Sequence, residues 1–130
     1  MMLDDLTREE MQQFEKVGRV RDYTVGDPIV REGESGSSFF LILSGRAEVR
    51  TNVGSATYRK LMDVGPCGVF GEICFLGAQN RSASVIATQA CKAIEFHRAD
   101  FESFVQQHPL IGMKVYRGMA RELAFRLTKN

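Results

Sequence analysis

Glu72 and Arg81 stand nine residues apart, and the residues around them suit the capture of a small anion. Gly71 removes a side chain where a ligand would have to approach the backbone. The stretch 72–76 is long enough for only one or two helical turns, and the N–H groups at such a helix start attract negative charge. Gly77, Ala78, Gln79 and Asn80 then form a loop able to turn the chain back on itself, which brings Arg81 face to face with the helix start. A guanidinium can grip a phosphate with two parallel hydrogen bonds. A carboxylate beside that phosphate would repel it and must serve a neutral part of the ligand, such as a sugar hydroxyl.

One anion and one neutral donor a few ångströms apart describe a cyclic nucleotide, with the ring phosphate on Arg81 and the ribose 2′-OH on Glu72. Taken without their context, the same two residues read as a surface ion pair worth about 0–1 kcal/mol. The context is specific. The run Phe70-Gly71-Glu72-Ile73-Cys74-Phe75-Leu76, followed by Arg81-Ser82-Ala83, closely resembles the phosphate-binding cassette of the cyclic-nucleotide-binding domain family. That family includes bacterial catabolite activator proteins, kinase regulatory subunits and gated ion channels. The stretch from Tyr23 to Gly33 resembles its entry strands, and Phe40 to Val49 its central hairpin.

The resemblance implies that Arg81 binds the cyclic phosphate and Glu72 the ribose 2′-OH. The backbone N–H groups of Gly71, Ile73, Cys74 and Ala83 would line the anion site. Ser82 would add a hydroxyl to the phosphate or to a guanine amino group. Family members that prefer cGMP often carry Thr there and bacterial cAMP binders often Ser, so cAMP is the expected ligand ahead of cGMP. In the family the C-terminal helix closes over the base, and Arg126 is the residue here whose planar guanidinium could stack on a purine. The chain lacks the Thr-Ser pair that reads the adenine amino group in catabolite activators, which leaves the base contact and the base identity open.

The elements that must position these residues follow from pattern. Thr7 is an N-cap with Glu10 completing a capping box, Leu6 is placed to staple against Met11, and Phe14 and Val17 continue the apolar face to a stop at Gly18. From residue 19 to 97 short strands alternate with Gly, Asn, Asp and Pro turns at intervals of about 8–12 residues, the spacing of a compact β-roll. Gly26, Gly33, Gly45, Gly54 and Gly65 are assigned to turns. Phe39 to Leu43 is continuously apolar and expected to be central, whereas residues 46–51 alternate and should have one wet face. Val85 to Thr88 and Cys91 to Phe96 supply the last strands.

Helical spacing returns with Phe101, Phe104 and Val105, up to a break at His108-Pro109. In the final segment Met113, Tyr116, Ala120, Leu123 and Leu127 form one apolar stripe, and Ile111, Val115 and Met119 another. Two apolar faces need two partners. One is assigned to the β-roll; the other falls to the same helix of a second chain in a homodimer, to a further domain or to the ligand. The expected fold is α+β: an antiparallel, jelly-roll-like β-roll over 19–97 with the cassette at 68–85, an N-terminal helix over 1–18, a short cassette helix and two C-terminal helices over 98–130.

Composition narrows the function classes. The chain has 130 residues, 44% hydrophobic and 25% charged, which fits one ordinary soluble domain. No run approaches the roughly 18 apolar residues of a membrane span. Residues 1–5 are acidic and unlike a secretory signal, so a cytoplasmic location is expected. Net charge is +1; from Pro109 onward five Lys or Arg against Glu122 give +4, and the remainder gives −3. Those basic residues are spaced along a helix, which reads as a solvated face and not as a nucleic-acid or lipid site.

Cys67, Cys74 and Cys91 lack metal or disulfide spacing and read as reduced, mostly buried small residues. His97 and His108 have no ligand partners at metal spacing, and a cupin-type metal enzyme would need more histidines than these. Nothing activates a nucleophile, so no enzyme, no metal and no cofactor beyond the ligand is expected. A transcription regulator would need a helix-turn-helix after Leu127, so the expectation is either a standalone module or the effector half of a transcription regulator or channel whose output domain lies outside this sequence. A scaffold of the same fold that has lost nucleotide binding is disfavoured by intact Gly71, Glu72 and Arg81.

Overall fold

The computed structural model describes residues 2–77 and 79–128. The chain groups into two compact units, Val20–Glu95 and Met1–Arg19 with Phe96–Asn130.

Among the described residues the first unit is built on eight antiparallel strands: β1 (Arg19–Tyr23), β2 (Pro28–Val30), β3 (Ser38–Ser44), β4 (Ala47–Thr51), β5 (Arg59–Val64), β6 (Val69–Phe70), β7 (Ser84–Ala87) and β8 (Cys91–His97). They form two four-stranded sheets, ordered β1-β8-β3-β6 and β2-β7-β4-β5. The expected β-roll is therefore the observed fold, and β3 takes the interior position read from its apolar run. Its residues Ser38 to Ile42 are buried, while Leu43 turns out to 37% exposure near the strand's end.

Strand alternation explains why β3 is apolar throughout. Phe40 and Ile42 enter the core cluster with Ala47, Val64, Phe70, Val85 and Ala87, and Phe40 stacks on Phe70 with the ring centroids 5.0 Å apart. Phe39 on the opposite face meets Phe75 edge-on at 4.7 Å. Phe75 belongs to α2 (Glu72–Leu76), the short helix expected in the cassette, and so pins that helix to β3.

The second sheet has a graded inner face. Ala47 pairs with Val64 on one side and Ala87 on the other, and all three are buried. Two residues along, Val49 pairs with Met62 and Val85, and Val85 with Val30. There only Val85 is buried; Val30, Val49 and Met62 are half-buried, so the inner face opens at that row.

In the second unit, α1 (Arg8–Glu15) carries the capping box read from sequence. Glu10 N donates to Thr7 Oγ1 at 3.1 Å, and Thr7 N donates to Glu10 Oε1 at 2.9 Å. The helix ends at Glu15 with Lys16 as C-cap, short of the expected Gly18, which lies in the bend before β1. Phe14 is fully buried, stacked on Phe96 at 4.4 Å and edge-on to Phe101 at 5.9 Å.

Helices α3 (Arg98–Gln107) and α4 (Pro109–Thr128) break at His108-Pro109 as expected, with His108 N donating to Phe104 O at 2.8 Å. On α4, Ile111, Val115 and Met119 are buried, and Gly112 and Gly118 let Val105 and the Met2 carbonyl approach closely. The other expected stripe divides: Tyr116 packs edge-on to Phe101 at 5.4 Å and Leu123 is half-buried. The exposed seam is instead Leu110, Met113, Arg117, Ala120, Ala124 and Leu127. The basic face is occupied by ion pairs: Arg121 and Arg117 reach Asp5 at 2.6 and 3.0 Å, and Lys114 reaches Glu10 at 2.8 Å. Among the described residues no helix is long and apolar enough to cross a membrane.

Candidate functional site

Gly71 is the hinge of the site. It occupies the N-cap of α2 at φ 86°, a left-handed conformation in which a Cβ is strained. It also has no room for one: a Cβ there would lie 3.0 Å from both Arg81 Nη1 and the Ser38 carbonyl oxygen. The bend lets α2 start immediately after β6, and its ladder begins with Phe75 N donating to Gly71 O at 3.3 Å. The amides of the first turn are thereby aimed out of the helix end.

Arg81 folds back onto this hinge. Its Nη1 donates to Ser38 O at 2.9 Å and to Gly71 O at 3.4 Å. Its main chain is clamped as well, Arg81 N donating to Glu34 O at 2.8 Å and Gly33 N to Arg81 O at 2.9 Å. Ser35 and Asn80 form an adjoining antiparallel bridge. The chain reversal expected between α2 and Arg81 thus docks on residues 33–38, the end of the loop joining β2 and β3 and the first residue of β3.

The remaining expected site residues fall in three groups. Glu72 is 1% exposed and Cys74 2%, which removes Glu72 from the surface-pair reading. Ile73 is exposed at 40% and Ser82 is exposed, while Ala83 is buried at the start of the alternation that carries Val85 and Ala87 into the core. Arg126 lies in the helical unit, half-buried, with Nη2 3.8 Å from Glu122 Oε1. Of the three free cysteines, Cys74 and Cys91 are buried and burial pushes the Cys91 thiol up. Cys67 departs from the expectation: it is exposed, in a tight turn at φ 69° that presents its side chain outward.

Two residues of the site were not read from sequence. Ser38 contributes only a carbonyl, which no side-chain pattern reveals. Gly36 lies against the Arg81 guanidinium, where a Cβ would come within 2.5 Å of Nε. Its one signal is a second glycine in Gly33-Glu34-Ser35-Gly36, more than a single turn requires. A separate groove of about 380 Å³ is lined by Pro28, Glu32, Asn52, Ser84 and Ile86, on the face of β7 opposite Val85.

Residues 20–108 match the profile of the cyclic nucleotide-binding domain, so the chain belongs to that family. It is 32% identical over 104 residues to the cyclic AMP receptor protein of Thermus thermophilus, covering 79% of this chain and 48% of the relative. It is also 32% identical over 126 residues to Glutaminase 1 of Bradyrhizobium diazoefficiens, covering 97% of this chain and 20% of that protein. The crystal structure of Thermus thermophilus catabolite activator protein superposes with TM-score 0.85 at 27% identity, covering 98% of this chain and 60% of that one. The chain thus spans from a fifth to about half of these curated relatives.

Proposed function

We propose that this chain is a regulatory module that senses a cyclic nucleotide, cAMP ahead of cGMP, and has no catalytic role of its own. The observation that carries the reading is the Arg81 guanidinium folded against Gly71 at the mouth of α2. In this reading Arg81 takes the ring phosphate, Glu72 the ribose 2′-OH, and the amides of Gly71, Ile73, Cys74 and Ala83 complete the anion site. Ser82 is exposed beside Arg81 and supplies its hydroxyl. The half-buried row of Val30, Val49 and Met62 offers apolar surface within the same unit for the sugar and base. The cAMP preference leans on Ser82 and on the name of the Thermus relative.

The test is thermal unfolding with cAMP, cGMP and cyclic dinucleotides. A ligand at about 100 times its dissociation constant adds roughly 2.7 kcal/mol of stability. Arg81→Ala abolishes that gain, and a gain that survives the substitution refutes the site.

The output of the module is a shift of α3 and α4 when phosphate capture draws α2, with Phe75 and Leu76, inward. A ligand can move that equilibrium only by its differential affinity for the two states. Amides around Pro109 therefore shift in NMR spectra on nucleotide addition; binding without such shifts refutes the relay. Arg126 is the residue of α4 assigned to the base.

A second copy of the chain is the proposed partner of α4. The exposed seam of Leu110, Met113, Arg117, Ala120, Ala124 and Leu127 keeps a 3,4 spacing along the helix, and its alanines permit close helix approach. Light scattering on wild type and Ala124→Glu distinguishes a dimer from a monomer.

A further inference from the structure

From the packing around Arg81 we infer that Gly36 is a positioning residue for nucleotide capture, kept bare so that the phosphate-gripping edge of the guanidinium can occupy its place. The inference rests on the reading of Arg81 as the phosphate ligand. The loop after β2 and the first residue of β3 hold this arginine. Gly33 and Glu34 fix its main chain, and the Ser38 carbonyl accepts from Nη1. Gly36 faces the other edge: a Cβ there would lie 2.5 Å from Nε, 2.6 Å from Nη2 and 2.7 Å from Cζ. Nε and Nη2 are the pair that can make two parallel bonds to a phosphate while Nη1 stays on its carbonyls.

The reason for glycine here is space and not backbone conformation. Gly36 is absent from the glycines at positive φ, in contrast to Gly71 at 86°. Alanine is therefore compatible with the backbone at position 36, and it restricts the unfolded chain. What an added methyl meets is the far end of a flexible side chain, so the domain accommodates it by moving the guanidinium. The consequence is a separation rarely available at a ligand site: Gly36→Ala spoils capture without spoiling the fold. Gly65 supplies the control. It too lacks positive φ, and a Cβ there would come 2.8 Å from Nη1 of Arg46, a guanidinium outside the site.

The experiment measures cAMP affinity by calorimetry, and the melting temperature without nucleotide, for wild type, Gly36→Ala, Gly65→Ala, Arg81→Ala and the double variant Gly36→Ala/Arg81→Ala. Expected for Gly36→Ala is affinity about tenfold or more weaker, the scale of a charged hydrogen bond lost. Its melting temperature should be unchanged or raised, and it should have no further effect on affinity in the Arg81→Ala background. Gly65→Ala should bind as wild type does. Unchanged affinity in Gly36→Ala overturns the inference. So does a melting temperature that falls together with affinity, because that marks a structural role.

If wild type binds neither cAMP nor cGMP, the sensor reading itself fails, and the positioning claim is read from the Arg81 Nε–Hε NMR signal, assigned with Arg81→Lys. Movement of that signal in Gly36→Ala but not in Gly65→Ala sustains it. A signal that stays in place refutes it.

Discussion

Arg81 in the β unit and Arg121 in the helical unit are held by opposite means. Arg121 meets a carboxylate, Asp5, which Arg117 shares at 3.0 Å. Arg81, among the described residues, donates to the main-chain carbonyls of Ser38 and Gly71. A carboxylate neutralises a guanidinium, whereas carbonyl dipoles orient it and leave its net charge for an incoming anion. The contrast teaches how the same residue type serves as glue in one place and, in the proposed reading, as a receptor in another. What differs is the partner, and the partner is set by the local backbone.

The largest effect that breaks the comparison belongs to the helical unit. Phe14→Ala removes a fully buried ring stacked on Phe96 and edge-on to Phe101 and should cost about 3–5 kcal/mol in urea unfolding. A loss under about 1 kcal/mol would mean that the aromatic cluster does not hold that unit together. Gly71→Ala comes next. It strains a residue at φ 86° and crowds Arg81 Nη1 and the Ser38 carbonyl. It should destabilise by about 1–3 kcal/mol and weaken nucleotide binding as well. Gly36→Ala should show the second effect without the first, so the two glycines separate conformational need from spatial need.

The smallest effect is electrostatic and sharpens the contrast. The hydrogen bond from Arg121 holds the Asp5 carboxyl below its ordinary value, helped by Arg117, and the hydrogen bond from Lys114 does the same for Glu10. A carboxylate with a depressed folded pKa contributes stability that is present above its unfolded pKa and is lost as pH falls through the folded one. Acid should therefore loosen the helical unit progressively below about pH 4. Asp5→Asn should flatten that part of the melting-temperature profile. Added salt should weaken the exposed Arg117 and Arg121 pairs with Asp5 in the same direction, and an acid limb unchanged in Asp5→Asn would show that other carboxylates set it.

Much of the architecture was legible because it is local. The Thr7–Glu10 capping box, the His108-Pro109 break and the five-residue span of α2 each depend on neighbours within one turn of chain. Alternation and turn spacing gave the β-roll, since a strand's buried face is written at every second residue. The boundary of α1 was less legible: Gly18 is a competent helix stop, but the helix had already ended at Lys16. The faces of α4 are legible only in part, because Tyr116 suits a seam and a core equally and only the ring of Phe101 decides between them.

The sequence by itself determined the cassette: a glycine, a short helix, a reversal and an arginine in fixed order, together with the helices and strands around them. Only the tertiary structure decided what surrounds the guanidinium. Ser38 is 43 positions from Arg81, and it takes part through a carbonyl that every residue possesses. Gly36 takes part through a side chain it does not have. Contacts made by main-chain atoms and by empty space leave almost no mark on residue type, so they appear only once the chain has folded and distant segments stand against each other.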